Sequence, residues 1–450
     1  MIRAFFTIPD NELFLESSID PMGLRVIWTY YAHKIFDNKL TTIANDIRIY
    51  SINLFHHCIV SELFQDRSKI NELSLKYRNT KPKKGIEREI KQGMIICLEN
   101  IAILSFIENE HEKGFDPSGI PGSYKAKTKL NNGDEIYLAI DKYEEILKNQ
   151  VNLGMAGRYI GPMGEIGLFK KGLDYNDIEM KKLSDTFNSD EHYKVLKEKL
   201  KDLLLQIFNS ESSTKRPEIL FSELKRKYSL WNIIKGEYGH CFGSRKVWKK
   251  LKEYFLNNLG LNKGAAGAIY DSIDIKKYTK GIPGEDFALI FNEARKLCSD
   301  AIEAEKIDDI LRIAPALSHS EYILRKMAAP DTDSVPEIEK DIETIKKELE
   351  KIWPTIINIK NQDFAKLKRE LNKSLNSKEW ALEIVKYHEV VMKHRGGQPW
   401  LSVNDNSEIK HLFSPLLYEE HYSAKKYIAS GYWYHHYYLN TLLGFKKSLC

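Results

Sequence analysis

The chain has 450 residues, of which 42% are hydrophobic and 29% are charged, and its formal net charge is +5 at pH 7. This composition is ample for several packed cores and excludes a disordered chain. No run of 18 consecutive apolar residues occurs, so the sequence predicts no membrane-spanning helix. The N-terminal apolar run is broken at Pro9 and Asp10, and the five cysteines are scattered, so we expect a cytoplasmic protein with reduced thiols.

The first block of the chain, residues 1–113, has a helical pattern. Apolar residues recur at spacings of three and four after Asp20-Pro21, a pair that suits the start of a helix. A further apolar helix is expected around Ile90–Ile107, after the basic connector Lys81–Gly85. We therefore expect an N-terminal helical domain over residues 1–113.

Residues 114–172 are rich in glycine, most densely between Gly154 and Gly167. Dense glycines favour turns and close backbone approach over one long helix. The segment Asp141–Val151 can form a helix, followed by a glycine turn and a short second helix, which is compatible with a helix-turn-helix. Arg158 lies among these glycines and is a candidate phosphate ligand, although packing or turn formation also accounts for the glycines.

Residues 173–330 are interpreted as a central, basic helical domain. A strongly amphipathic pattern over Lys181–Phe208 predicts one helix. The segment that follows, Lys215–Lys252, holds eleven Lys and Arg against three acids, a net charge of +8. Because the whole chain carries only +5, this positive charge is local.

Aromatic residues are interleaved with these cations. Basic side chains attract a polyanion backbone and aromatic faces stack on bases, so nucleic acid is the expected partner. The alternative is that Trp231, Ile234 and Tyr238 are the buried face of an ordinary helix with solvated lysines. A second helix is expected to begin after Gly243, and helix N-termini bind phosphate. The residues expected to contact nucleic acid in this segment are Arg245, Lys246, Trp248, Lys249, Lys250 and Lys252.

Residues 331–450 are expected to form a C-terminal helical domain with a short hairpin. A seam of isoleucine and leucine from Ile338 to Ile352 predicts a helix over Ser334–Trp353, which Pro354 ends. Another helix is expected over Lys378–His394, and two strand patterns around Asn404–Asn406 predict the hairpin. The aromatic run Tyr432–Tyr438 could be a stacking platform, but the leucines that follow at helical spacing favour a packed core helix.

Motifs for cofactor and metal chemistry are incomplete. The chain has no Gly-x-x-x-x-Gly-Lys-Ser/Thr sequence, which argues against a P-loop ATPase. His388-Glu389 resembles part of a zinc protease motif, but the next histidine is His394, whose side chain projects about 120° away on a helix. His56-His57 and His435-His436 lack second ligand pairs. The sequence therefore predicts neither a metal site nor a cofactor.

One group of residues could serve a metal-dependent nuclease. Such enzymes use two acids and a lysine to hold a divalent ion and orient water. Glu408 and Lys410 lie in a predicted strand with Asp405 just before it, so these three are candidate catalytic residues. In a chain this charged, such triplets also arise by chance.

Two blocks of sequence carry a resemblance to known proteins. They are Asp20-Pro-Met-Gly-Leu-Arg-Val-Ile through Thr41–Tyr50, and His394-Arg-Gly-Gly-Gln-Pro-Trp-Leu together with Tyr434-His-His-Tyr-Tyr-Leu. They resemble a family of uncharacterised bacterial proteins whose members lie beside helicases and phospholipase-D-type nucleases in anti-phage defence neighbourhoods. The resemblance covers about a quarter of the chain. It implies a defence context and protein partners, and it assigns no catalytic residue.

The sequence thus predicts a mainly α, multi-domain protein with a few short strands. The function that it favours is a DNA-binding subunit of a bacterial defence or restriction complex, without enzymatic activity of its own. Two alternatives remain open, a metal-dependent nuclease and a non-catalytic scaffold. In the scaffold, the Ile338–Ile352 seam would contact a partner enzyme.

Overall fold

The protein is built mainly from α-helices. The computed structural model describes residues 20–41, 46–66, 86–112, 115–116, 119–140, 146–147, 149–210, 218–227, 229–328, 335–356, 362–373, 376–412, 423–435 and 438–450. Its helices are α1 (Arg25–Phe36), α2 (Ile47–Gln65), α3 (Ile86–Glu108), α4 (Ser123–Asn131), α5 (Gln150–Leu153), α6 (Met155–Glu165), α7 (Asp177–Asn188), α8 (Glu191–Asn209), α9 (Phe221–Lys227), α10 (Ser229–Phe242), α11 (Lys249–Asn258), α12 (Gly264–Ser272), α13 (Phe287–Leu297), α14 (Ala301–Ala328), α15 (Val335–Ile352), α16 (Gln362–Leu371), α17 (Ser377–His394), α18 (Ala424–Ser430) and α19 (Leu439–Leu449).

Short strands pair two by two and antiparallel. They are β1 (Tyr137–Ala139), β2 (Phe169–Lys171), β3 (Asp174–Tyr175), β4 (Glu218–Leu220), β5 (Leu401–Val403) and β6 (Ile409–His411). In the described residues the pairs are β1 with β4, β2 with β3, and β5 with β6. The predicted mainly α fold with short hairpins is confirmed.

The chain divides into two compact units, each made of separated segments. Unit 1 comprises residues 1–35 and 263–439, and unit 2 comprises residues 36–262 and 440–450. The four segments expected from the sequence, 1–113, 114–172, 173–330 and 331–450, do not coincide with these units. Each unit joins segments that are remote in sequence, which composition along the chain does not reveal.

Unit 1 is centred on α14, which packs against α12, α13, α15 and α17. The predicted helices at Ser334–Trp353 and Lys378–His394 are present as α15 and α17. Ile342, Ile345 and Leu349 of α15 are buried, and this helix packs against α14, α17 and α18. The middle of the isoleucine seam is therefore internal, and these three residues do not offer the surface that the scaffold alternative expected to contact a partner enzyme.

Unit 2 is centred on α2 and α3. Sixteen of the 19 residues of α2 are buried, as expected for a helix that is apolar on most faces. Within the described residues, one segment, Glu87–Glu108 of α3, is long and apolar enough to cross a membrane, but 83% of its most apolar window is buried in the protein. Its hydropathy is accordingly that of a core helix.

Two expectations about helices differ from the structure. Lys181–Phe208 forms two helices, α7 and α8, because the Asp190 carboxylate accepts hydrogen bonds from the N–H groups of His192 and Tyr193 and starts a new helix. In the run Tyr432–Tyr438, residues 432–435 are not helical, and residues 436–437 lie outside the described part of the chain. Trp433 is nonetheless buried, so its assignment to the core holds.

The part of the glycine-rich segment around Gly154–Gly167 contains two successive helices, and a hairpin follows them. α5 and α6 meet at Gly154, and β2 and β3 follow. Most of the segment Asp141–Val151 precedes α5 and lies largely outside the described residues. Arg158 is the one Lys or Arg on α6, whose exposed residues include Ile160 and Glu165. This helix therefore lacks the positive charge that a DNA-contacting helix usually carries.

Candidate nucleic-acid interface

The basic loop of unit 2 connects α10 to α11. α10 ends at Phe242, and a side chain at Gly243 would place its Cβ 2.4 Å from the carbonyl oxygen of Gly239 and 2.7 Å from the ring of Phe115. Glycine is therefore required where the loop begins. The Gly243 carbonyl then accepts the N–H of Asp116 at 2.9 Å, which fixes the path of the chain.

Cations on this loop and the following helix reach the surface. Arg245, Lys246, Lys249 and Lys250 are exposed, and Lys252 is half-buried. Arg245 pairs with Asp116, with its Nε 2.5 Å from Oδ2. Since the arginine side chain is 54% exposed, this pair is solvated and contributes little to stability. It leaves the guanidinium at the surface.

The N-terminus of α11 is free of side-chain caps. Trp248 occupies the N-cap position without a side-chain hydrogen bond, and the first turn contains no acid. The first amides of a helix lack intrahelical acceptors and carry partial positive charge, which favours an anion. Here Lys249 and Lys250 add full charges to that turn. The turn is suited to a phosphate group.

The indole of Trp248 has a positioning role. Its ring lies 5.8 Å from that of Tyr193 on α8, and the Lys250 ammonium lies over it at 5.6 Å. Trp248 is half-buried by these contacts. The side chain expected to stack on a base is thus partly committed within the protein, and it orients Lys250.

The C-terminal helix adds two further cations to this surface. The N–H of Val247 donates to the carbonyl oxygen of Ser448 at 3.0 Å, which brings the last turn of α19 beside the loop. That turn carries Lys446 and Lys447. Sequence reasoning missed both, because they lie about two hundred positions away and only tertiary structure brings them here. We call the seven cations on these neighbouring segments the basic face: Arg245, Lys246, Lys249, Lys250, Lys252, Lys446 and Lys447, of which the first four are exposed and Lys252, Lys446 and Lys447 are half-buried.

In the first half of the basic segment Lys215–Lys252, the described residues include an internal ion pair and a buried helix face. Lys225 forms an ion pair with Glu108, and the other Glu108 oxygen accepts the indole N–H of buried Trp231 at 2.8 Å. Ile234 and Tyr238 are buried with Trp231, as the alternative interpretation of this helix expected. Residues 215 and 216 lie outside the described part of the chain.

Arg158 is half-buried on α6. Its charge acts on Glu99 of α3, which is 1% exposed and caps α6 by accepting the N–H groups of Met155 and Ala156. Burial raises the pKa of Glu99 to about 7 against the lowering effect of these hydrogen bonds, of Gln150 and of Arg158. This position favours a role of Arg158 in unit 2 stability.

The candidate nuclease residues lie on the β5–β6 hairpin. Asp405 is exposed in its turn, and Lys410 is exposed on β6. The Glu408 carboxylate accepts a hydrogen bond from the side-chain amide of Asn404 at 2.9 Å, which closes the turn. Among the residues that the structure describes, no three His, Cys, Asp or Glu side chains are placed to hold a metal ion. The hairpin supplies no preformed ion site in that part of the chain.

The consecutive histidines of α2 are core residues. His56 Nε2 lies 2.8 Å from the hydroxyl of Tyr238, and His57 Nδ1 lies 2.9 Å from that of Tyr175. Burial lowers the pKa of each histidine to about 3, so both imidazoles are neutral at physiological pH. Both histidines are therefore hydrogen-bonded members of the core of unit 2.

Comparison of the chain with protein-family models, with curated proteins and with solved structures gave no match.

Proposed function

We propose that this protein binds nucleic acid, DNA in preference to RNA, through the basic face of unit 2. The observation that carries the proposal is the hydrogen bond from Val247 to Ser448, which gathers cations from two remote segments of the chain. A loop, the start of one helix and the end of another thus each contribute cations that can contact the phosphates of a strand.

The composition of the basic face supports phosphate contact without base reading. Its exposed groups are lysines and one arginine, and the aromatic ring within it, Trp248, is partly covered by Tyr193. Lysine binds phosphate as a point charge, and six of the seven cations of the basic face are lysines. The proposed binding is therefore electrostatic and tolerant of sequence.

Salt dependence of affinity tests the proposal. Fluorescence anisotropy with a short labelled DNA duplex is measured over a salt series, for the natural protein and for Lys249→Gln/Lys250→Gln/Lys446→Gln. Each lost phosphate contact lowers the slope of log affinity against log salt by about 0.9, so we expect the triple variant to lose a slope of about 2 to 3. Binding of the natural protein should fall steeply as salt rises.

A matched control removes the same charge elsewhere. Lys340, Lys347 and Lys351 are exposed on α15 in unit 1, and their replacement by Gln changes the net charge equally. We expect this control to keep the affinity and the salt slope of the natural protein. The proposal fails if both triple variants bind alike, or if affinity does not depend on salt. A single-stranded DNA and an RNA of the same sequence establish the preference.

The cellular role that we propose follows from the sequence resemblance. The blocks at Asp20 and His394 are similar to defence-associated bacterial proteins, so DNA binding would serve a complex with helicase and nuclease partners. Phage plaque counts on cells that carry the neighbouring genes test this role. The Lys249→Gln/Lys250→Gln/Lys446→Gln variant should restore plaques that the natural protein suppresses.

A further inference from the structure

Unit 1 contains a groove between α1 and the C-terminal end of α17. Its volume is about 780 Å³, within the range of sites for small molecules. One wall is the face of α1 that carries Arg25, Val26 and Tyr30, and the other includes Met392 and Arg395. The groove lies where the two sequence blocks around Asp20 and His394 meet, and nucleic-acid binding by unit 2 does not use it.

Hydrogen bonds to Asp20 connect the two walls of the groove. The Asp20 carboxylate accepts the N–H groups of Leu24 at 2.7 Å and Arg25 at 2.9 Å and so caps α1. Arg395 donates through Nη1 to the Asp20 carbonyl at 2.9 Å and through Nη2 to the carboxylate at 3.1 Å. Because α1 and the end of α17 share this aspartate, the groove is preformed.

A second set of contacts holds the turn at residues 20–24, which precedes α1. His388 Nδ1 lies 2.8 Å from the carbonyl oxygen of Pro21, and its Nε2 accepts the N–H of Trp400 at 2.8 Å. The Nδ1–H tautomer satisfies both bonds. Gly23 has φ of +65°, and a Cβ there would lie 3.3 Å from Val391, so glycine lets the turn approach α17.

The charge that the groove presents to solvent is positive. Asp20 is 5% exposed and its carboxylate is already engaged, so it offers little to a ligand. Arg25 is exposed and forms no ion pair within the described residues, and Arg395 is 39% exposed. Two guanidinium groups on different elements can grip one tetrahedral dianion from two sides.

The rest of the groove is apolar or aromatic. Val26 is 57% exposed although it lines the groove, and Tyr30 is half-buried. Met392 is buried at the wall and offers a polarizable surface. A bound anion alone would leave the apolar side of the groove exposed to water. A ligand with a flat apolar body beside its phosphate would cover it.

We propose that the groove binds a nucleoside 5′-phosphate, with its phosphate between Arg25 and Arg395 and its base against Val26 and Tyr30. Two sources have this chemistry, a free mononucleotide and the 5′-phosphorylated end of a strand. The site is independent of the basic face, which contacts internal phosphates of a strand.

Calorimetric titration of the full chain tests the site with four probes: AMP, adenosine, inorganic phosphate and a 5′-phosphorylated dinucleotide. We expect AMP or the dinucleotide to bind at least about tenfold more tightly than adenosine and phosphate, since both parts of the ligand contribute. Tighter binding of AMP than of the dinucleotide identifies the free nucleotide as the ligand. The reverse order identifies the strand end.

Matched variants separate this site from other surfaces. Arg25→Gln and Val26→Glu change exposed residues and should weaken AMP binding about tenfold or more without lowering the melting temperature. Arg295→Gln removes an exposed arginine elsewhere in unit 1 and should bind AMP normally. Lys249→Gln/Lys250→Gln/Lys446→Gln should also keep AMP binding while DNA affinity falls. The proposal is overturned if none of the four probes binds, or if Arg25→Gln and Arg295→Gln bind AMP equally.

Discussion

Lys197 places its Nζ 2.7 Å from the Oε1 atom of Glu62, although Lys197 is only 3% exposed. The other Glu62 oxygen pairs with Lys201, and the Ser184 hydroxyl donates to the same carboxylate. A buried ammonium is tolerated because it is paired and hydrogen-bonded. This cluster ties α2 to α7 and α8 in unit 2.

Glu62→Gln should destabilise the protein by about 3 to 5 kcal/mol, because the Lys197 charge remains buried without a counter-ion. The measurement is urea-induced unfolding at neutral pH. Glu198→Gln is the matched control, since it removes a carboxylate that is 57% exposed and pairs with Lys201 at the surface. Its cost should be about 1 kcal/mol or less. Equal costs for the two variants would contradict this account.

The lowered pKa of Glu62 leads us to expect that the protein becomes less stable in acid. Burial by itself raises the pKa of its carboxyl, but hydrogen bonds from Lys197, Lys201 and Ser184 outweigh burial and lower the pKa below its usual value. A lowered pKa in the folded state stabilises the protein above the unfolded pKa of about 4.3, and this contribution disappears as pH falls through the folded pKa. The gap in unfolding free energy between the natural protein and Glu62→Gln should therefore narrow from pH 6 to about pH 3.

Glu99 predicts the opposite pH dependence. Its folded pKa of about 7 lies above the unfolded value, so its contribution is fully present below about pH 4.3 and is lost as pH rises through 7. Relative to Glu99→Gln, the natural protein should lose about 3 kcal/mol of unfolding free energy between pH 4.5 and pH 8. Denaturant titrations of both proteins across this range check the sign. A constant difference between them would rule out a raised pKa.

Three glycines of α6 should respond differently to alanine. A Cβ at Gly161 or Gly164 meets nothing within 4 Å, whereas one at Gly157 would lie 2.2 Å from the carbonyl oxygen of Asn152. Gly161→Ala and Gly164→Ala should each stabilise the protein by about 0.5 to 1 kcal/mol through helix propensity. Gly157→Ala should destabilise it by about 1 to 3 kcal/mol. Thermal unfolding of the three variants gives the order, and destabilisation by Gly161→Ala would show that its surroundings are crowded.

Substitutions in the isoleucine seam of α15 should lower the stability of the protein according to how deeply each residue is buried. Ile345 is fully buried and Ile338 only half-buried, although both belong to the same periodic pattern. Ile345→Ala should cost about 2 to 5 kcal/mol, and Ile338→Ala should cost clearly less. Chemical unfolding of each variant measures the two costs. A seam reserved for a partner would instead give small costs at both positions.

Elements with local signals were predictable from the sequence. α17 begins with a capping box in which Asn376 accepts the N–H of Glu379 at 3.0 Å and the Glu379 carboxylate accepts the N–H of Asn376 at 3.1 Å. Such a start requires only neighbouring residues. The break between α7 and α8 was missed because the apolar period continues across it, although Asp190 was a visible capping residue.

For the basic face and for the groove of unit 1, only residues that are neighbours in sequence could be grouped before the structure was known. Arg245 to Lys252 follow one another in sequence, so their shared charge was apparent before folding. Lys446 joins them through the packing of α19, and Arg395 reaches the turn before α1 through its ion pair with Asp20. Charge and periodicity along the chain cannot give contacts between such distant positions, because these depend on how whole helices pack.

Because unit 2 is made of separated segments, it is completed late during translation of the chain. Residues 440–450, which complete unit 2, leave the ribosome only after every segment of unit 1 has been made. A nascent chain therefore carries an unfinished unit 2 throughout translation of unit 1, and Lys446 and Lys447 reach the loop at Val247 last. A chain truncated before residue 440 would lack this closing helix. The basic face would therefore be complete only after all of unit 1 has been synthesised.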